Sequence, residues 1–256
     1  MNSLQALVLA AIEGLAEFLP ISSTGHLILA SRLLHLSQTE FVKTFEIVIQ
    51  AGAILAVIAL YGQKLLRQRA LWSRLVAAFI PTAVVGFLLY RLIKHVLLGN
   101  TTVVLLSLFL GGLVLIAFEK FYRPSTASSV PLEQLPHSSA VIIGLIQAIS
   151  VIPGVSRAAA SIVGGMLLGL PRASAAEFSF LLAVPTILAA AALDLAKTGF
   201  VFSGHEYLML ALGLVGSFIT AYLAIKTFIN YLQRHTLVPF GVYRIVVAII
   251  FWLLIV

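Results

Sequence analysis

The sequence has no cysteine among its 256 residues. That absence excludes disulfides, thiolate nucleophiles and every metal site built on cysteine sulfur. Charge is scarce as well: charged residues make up 10% of the chain and hydrophobic ones 61%, where a soluble domain averages about 25% charged. So little charge cannot cover a water-facing surface, and the composition is that of an integral membrane protein. The formal net charge of +7 comes without a basic run interleaved with aromatics, so no nucleic-acid partner is expected. Instead Lys and Arg fall between apolar segments, as topology determinants do. The N-terminus, Met1-Asn2-Ser3-Leu4-Gln5, has no basic region and its apolar run is cut at Glu13, so no cleavable signal peptide is expected.

What the chain does have is long apolar runs. A membrane-crossing helix needs about 20 apolar residues, and six segments answer to that: 41–62, 74–92, 102–120, 173–196, 206–229 and 237–256. Two regions, 4–36 and 138–170, are each too short for two spans and are broken in the middle, at Pro20 with Ser-Ser-Thr-Gly behind it and at Pro153-Gly154. Proline in mid-pattern ends a helix and moves the preceding residue out of the helical region. Each region is therefore expected to form a helix, a break and a second helix: a re-entrant hairpin, whose irregular backbone is tolerated at membrane depth only inside protein or along a water-filled cavity.

A shift of 133 positions superimposes Pro20 on Pro153, Ser23 on Ser156, Phe45 on Phe178, Ile54 on Ile187, Leu55 on Leu188, Ala56 on Ala189, Ala59 on Ala192 and Leu60 on Leu193. The expected organisation is one all-α, polytopic membrane domain made of two repeats. Residues 1–121 hold hairpin 4–36 and three spans, 122–139 form a polar linker, and 140–256 hold hairpin 140–170 and three spans. If the loop with Lys64, Arg67, Arg69 and Arg74 is cytoplasmic, Lys120, Arg123, Arg172 and Arg234 fall on the same side, against Arg32, Lys43, Arg91, Lys94 and Lys197 outside, which agrees with the positive-inside rule. The hairpins then enter from opposite faces, as in an inverted-topology repeat, and both breaks can meet near the midplane.

The chemistry concentrates at those breaks. Glu13 and Glu17 are four residues apart and share one helix face. Two carboxylates on one cavity raise each other's pKa or hold a hard divalent cation, Mg²⁺ commonly using one or two carboxylates together with substrate phosphate. Protonated or snorkelling glutamates in packing contacts are the bland alternative. Ser22, Ser23 and Ser156 stand where helix N-caps belong, and capping alone would account for them. Two half-helix N-termini aimed at one point would cradle an anion such as phosphate. His26, three residues after Ser23, is positioned to exchange a proton with its hydroxyl, or is a histidine satisfied by backbone. Arg157 suits bidentate capture of phosphate, or forms a structural ion pair with Glu17 or Glu177. Glu46, Gln50, Glu177 and Asp194 are expected as interhelical hydrogen-bond partners.

The run Glu13-Gly14-Leu15-Ala16-Glu17-Phe18-Leu19-Pro20-Ile21-Ser22-Ser23-Thr24-Gly25-His26, with Pro153-Gly154-Val155-Ser156-Arg157, resembles the signature of the bacterial undecaprenyl-diphosphate phosphatases, the bacitracin-resistance proteins. The likeness continues through Lys43-Thr44-Phe45-Glu46, Glu177 to Pro185, Ala192 to Leu195 and Ile225 to Phe228. The resemblance implies an enzyme of the bacterial inner membrane with its active site open to the periplasm. Such an enzyme hydrolyses undecaprenyl diphosphate to undecaprenyl phosphate, recycles the carrier for peptidoglycan synthesis and lowers bacitracin sensitivity. It further implies dependence on a divalent cation, Mg²⁺ or Ca²⁺, with Glu13 and Glu17 as ligands. Glu17, Ser23, His26 and Arg157 are then the expected catalytic residues, and Ser22, Thr24, Gly154, Ser156, Arg157 and Ser161 the expected phosphate cradle. One departure stands out: the family continues Ser-Arg with Ser-Gly-x-Thr, whereas Ala158-Ala159-Ala160-Ser161 comes next here, which keeps a hydroxyl at 161 and loses one at 158. The competing expectation is a transporter or flippase of lipid phosphate, because inverted repeats with broken helices also build secondary transporters. Paired glycines at 111–112 and 164–165, with Gly213 and Gly216, allow close helix approach inside one chain or across a homodimer.

Overall fold

The computed structural model describes residues 1–37, 39–97, 100–123, 131–195 and 202–255, without the side chains of 94, 95, 193–195 and 255. The side chains of Lys94 and Asp194, together with Lys197 and linker residues 124–130, thus lie outside what is described. Among the described residues every regular element is helical. The helices are α1 (Ser3–Ala16), α2 (Ser23–Leu33), α3 (Glu40–Arg67), α4 (Arg69–Leu88), a short α5 (Tyr90–Leu92), α6 (Thr101–Phe121), α7 (His137–Gln147), α8 (Arg157–Leu167), α9 (Arg172–Leu195), α10 (Gly204–Leu232) and α11 (Val238–Ile255). Helices α3, α4, α6, α9 and α10 are long and apolar enough to cross a membrane. The sixth expected span, α11, is just as apolar, but its 18 residues reach only about 27 Å at 1.5 Å per residue, and it carries an arginine at position 244.

Helices α1, α2, α7 and α8 have 14, 11, 11 and 11 residues, so none exceeds about 21 Å, short of a hydrocarbon core about 30 Å thick. Within each pair the two helices pack on each other. Gln5 Nε2 donates to the Leu34 carbonyl at 3.2 Å, which ties the start of α1 to the end of α2, and Gly164 of α8 packs against Ile146 of α7.

The two short-helix pairs exchange partners: α1 lies along α10, and α7 lies along α4. Both contacts depend on a glycine. A methyl at Gly14 would strike Thr220 and the Ser217 carbonyl, and one at Gly144 would strike the carbonyl of Ala78. Backbones that close also bond side chain to backbone, Thr220 Oγ1 donating to Ala10 O at 3.4 Å and Thr82 Oγ1 to Gly144 O at 3.0 Å. Helices α3 and α9 meet between these pairs, and α6 packs on α11.

The largest apolar cluster joins Phe18 of the first break to Phe178, Phe180 and Leu181 of α9, Ile162 of α8 and Phe228 of α10. Phe18 and Phe180 meet edge to face with centroids 5.2 Å apart. On a second level, Arg172 at the start of α9 donates to Glu119 of α6 at 2.9 and 2.5 Å, and Glu119 Oε1 also accepts the Leu237 amide at 2.9 Å. One buried carboxylate thereby joins the ends of α6, α9 and the loop before α11.

Candidate active site

Each break ends in a serine with left-handed backbone, Ser22 at φ 73° and Ser156 at φ 77°. L-residues avoid that region, so the turn needs hydrogen bonds of its own to hold it. The Ser22 hydroxyl accepts from the Gly25 amide at 3.3 Å and that of Ser156 from the Ala159 amide at 3.1 Å, each capping its helix at the third residue. The matching positions are therefore 134 apart. The sequence shift of 133 had paired Ser156 with Ser23, but the cap geometry pairs it with Ser22. In consequence Ser23 and Arg157 are equivalent: each is the first residue of its helix, α2 and α8.

These two residues converge on one carboxylate. The Ser23 hydroxyl donates to Glu17 Oε2. From the other break, Arg157 Nε and Nη2 donate to Glu17 Oε1 at 3.2 Å each, and Nη1 donates to the Ser179 carbonyl at 2.8 Å. The guanidinium stands 5.9 Å above the Phe18 ring. Glu17 and Arg157 side chains are only 8% and 10% exposed, so their pairing is strong and water is largely excluded. Ser161 lies behind Arg157, its hydroxyl 2.8 Å from the Arg157 carbonyl and 2.7 Å from Ser179 Oγ. Glu177, the other carboxylate considered for Arg157, pairs with Lys64 at 2.7 Å.

Glu13 lies one turn before Glu17 and is fully buried; no N–H or hydroxyl donor reaches either of its carboxylate oxygens, and the polar group beside it is the Glu17 carboxylate. The charged groups around it are Glu17, Glu46 and Arg157. A buried carboxylate without a donor is costly, and it marks a place shaped for something further. Among the described residues no group of three His, Asp or Glu could by itself hold a metal ion. The donor set thus fits a hard cation that two carboxylates hold in part and phosphate oxygens complete, and does not fit an all-protein cage.

The ring hydrogen bonds of His26 do not go to Ser23. Its Nδ1 faces the Ser22 carbonyl at 2.8 Å and its Nε2 the Tyr243 hydroxyl at 2.9 Å. A carbonyl only accepts, so the Nδ1 atom carries the proton, and Nε2 of the neutral ring accepts from the Tyr243 hydroxyl. The Ser23 hydroxyl is turned toward Glu17 instead, because the hydroxyl at the helix start points back across the break. Thr24 is half-buried at the second position of α2. Gly154, at φ 95°, gives the second break room beside Val104 and Ser107, and a methyl on Gly25 would stand 3.6 Å from its Cα, so the two breaks touch.

The description "bacitracin resistance protein BacA" belongs to the family whose pattern matches residues 6–250. The chain belongs to the BacA family. It is 51% identical over 251 residues to the undecaprenyl-diphosphatase of Aquifex aeolicus, covering 98% of both chains. It is 50% identical to that of Persephonella marina, covering 99% of both, and 44% identical to that of Thermus thermophilus, covering 98% of this chain and 97% of the other.

Three residues beside the BacA signature were not anticipated: Ser179, Tyr243 and Arg244. Ser179 lies within the Glu177 to Pro185 run but had no chemical pattern of its own. Arg244 did carry a signal, since a charge in mid-span is rare and seldom idle.

Proposed function

We propose that this protein is an undecaprenyl-diphosphatase: it hydrolyses undecaprenyl diphosphate to undecaprenyl phosphate and phosphate, which returns the lipid carrier to peptidoglycan synthesis and lowers bacitracin sensitivity. The observation that carries the reading is the meeting of Ser23, Glu17 and Arg157 from two separate breaks in one buried place. It supplies a nucleophile, a base and an anion clamp, and relatives about half identical to this chain over nearly its whole length are named for this activity.

In this scheme the terminal phosphate of the substrate takes the Nε and Nη2 edge of Arg157, while Nη1 stays on the Ser179 carbonyl and keeps the fork aligned. Glu17 accepts the Ser23 proton as Oγ attacks the terminal phosphorus. The Oγ–P bond forms, the phosphoanhydride P–O bond breaks, and undecaprenyl phosphate leaves with its electron pair. Charge developing on the equatorial oxygens falls on Arg157 and the N-terminal ends of α2 and α8. Water then cleaves the Ser23–phosphate bond, with Glu17 aiding proton transfer and the serine hydroxyl restored. His26, protonated at Nε2 by solvent beforehand, is the group that gives that proton to the leaving oxygen and returns to the neutral ring with its proton on Nδ1. Glu13 and Glu17 would hold a Mg²⁺ or Ca²⁺ ion against the diphosphate, and that ion supplies neutralisation of phosphate charge.

The same reading gives the architecture its purpose. The paired caps, the exchanged partners of α1 and α7, and short helices too small to span support two inverted repeats with re-entrant hairpins. The positive-inside count supports a site open to the periplasm in the bacterial inner membrane, where the polyprenyl tail stays among lipid-facing helices. Phosphate release from a C55 polyprenyl diphosphate by the purified protein in detergent, with and without EDTA, tests the proposal. Release that EDTA suppresses is expected. Folded protein that binds the lipid and releases nothing under either condition would turn the reading toward lipid-phosphate transport.

A further inference from the structure

Among the described residues Arg244 is the largest fully buried side chain, 0% exposed. A guanidinium has five N–H donors, and here each finds a backbone carbonyl. Nε donates to Leu108 at 3.3 Å, Nη1 to Pro20 at 3.3 Å and Val155 at 3.0 Å, and Nη2 to Ser107 and Gly154 at 2.9 Å each. No carboxylate pairs with it among the described ion pairs.

The choice of carbonyls is informative. Pro20 and Gly154 each stand two residues before a cap serine, Ser22 and Ser156, so one side chain grips the equivalent point of both breaks. These carbonyls lie where the backbone has left the helix and cannot join a helical ladder. The bond to Val155 adds a second hold on the second break, and the remaining two, to Ser107 and Leu108, anchor the fork to α6. Room for it is made by Gly111, where a methyl would fall on Nη2.

We propose that Arg244 is a positioning residue: it holds the two breaks in fixed register, so that Ser23 and Glu17 of one meet Arg157 of the other. None of its five bonds goes to a side chain of Glu17, Ser23, His26 or Arg157. Lysine would keep the charge, but its three donors on a single nitrogen cannot bridge three segments. The rate prediction rests on the phosphatase reading, while the register itself is measured without turnover.

The experiment compares wild-type, Arg244→Lys and Gly111→Ala proteins, normalised to folded material by size exclusion. Phosphate release and amide hydrogen exchange are followed in each. Displacement of reacting groups by about 1 Å costs about 100-fold in rate. Arg244→Lys is therefore expected to lose about 100-fold in kcat with KM within about threefold. Gly111→Ala, which displaces the guanidinium without removing it, is expected to lose about tenfold. Amides of residues 18–26 and 152–160 should exchange faster in both variants, with α3 and α10 unchanged. A folded Arg244→Lys protein with wild-type kcat overturns the proposal, as does exchange that rises evenly through all helices. If Arg244→Lys does not fold, Gly111→Ala decides: wild-type kcat and wild-type exchange at both breaks overturn it. A wild-type protein with no phosphatase activity defeats the functional reading alone, and the exchange comparison still decides whether Arg244 clamps the breaks.

Discussion

Glu17→Gln keeps the size of the side chain and removes its charge. The carboxylate accepts from Ser23 on one oxygen and from two nitrogens of Arg157 on the other. An amide has one acceptor oxygen, so if that oxygen keeps accepting from Arg157 the NH2 group can only donate to Ser23, and the acceptor for the serine proton is lost. With Arg157 only 10% exposed, removing its counter-charge belongs to the class of change that costs about 3–5 kcal/mol. The lower end is expected, because Nη1 remains bonded to the Ser179 carbonyl at 2.8 Å. The chemical loss is larger in effect. A positioned base contributes about 10²–10⁴ in rate, and the arginine clamp loses its alignment at the same time, so kcat should fall by at least about 10³. The assay is phosphate release from C55 polyprenyl diphosphate under saturating lipid, beside circular dichroism and size exclusion on the same sample. A folded variant that retains more than a tenth of wild-type kcat would refute Glu17 as both the base of Ser23 and the aligner of Arg157.

Glu13→Gln removes the carboxylate that no N–H or hydroxyl donor reaches. It should raise the metal-free melting temperature, by about 2–4 °C for each kcal/mol gained in a chain of this size, and abolish the response of activity to EDTA. Unchanged melting together with unchanged metal response would count against a cation at this place. Tyr243→Phe deletes one hydrogen bond to His26 Nε2; a bond of about 0.5–1.5 kcal/mol predicts a loss of about 2- to 10-fold in kcat. A loss beyond 100-fold would instead put the phenol into the chemistry. Gly144→Ala drives a methyl into the Ala78 carbonyl and should lower folded yield and melting temperature, whereas Gly86→Ala, with open space around it, should be neutral or stabilising by about 0.5–1 kcal/mol. Equal behaviour of the two would show that α4 and α7 do not need their close approach.

The five long spans were legible because a bilayer demands a length and a polarity that apolar runs display directly, and their observed ends lie within a few residues of those expected. The breaks were legible for a different reason: proline and glycine in mid-pattern have a local steric effect that needs no neighbour to be interpreted. The convergence of Glu17 with Arg157 came from the cost of placing charge in an apolar stretch, which leaves few ways to satisfy either residue. What failed was the fine register. Similarity of letters aligned Ser23 with Ser156, but the equivalence that matters is a backbone angle, shared by Ser22 and Ser156, and several residue types would serve there. His26 was matched with Ser23 on helical spacing, which says that two side chains lie on one face and not which way each turns. The reach of His26 to Tyr243 and of Arg244 to Pro20 crosses more than 200 residues. Arg244 illustrates the deeper limit. An arginine in mid-span announces that it must be satisfied, and a carboxylate elsewhere would have announced the partner. Its partners here are main-chain carbonyls, and since every residue carries one, no pattern of side chains can point to those that the fold will gather.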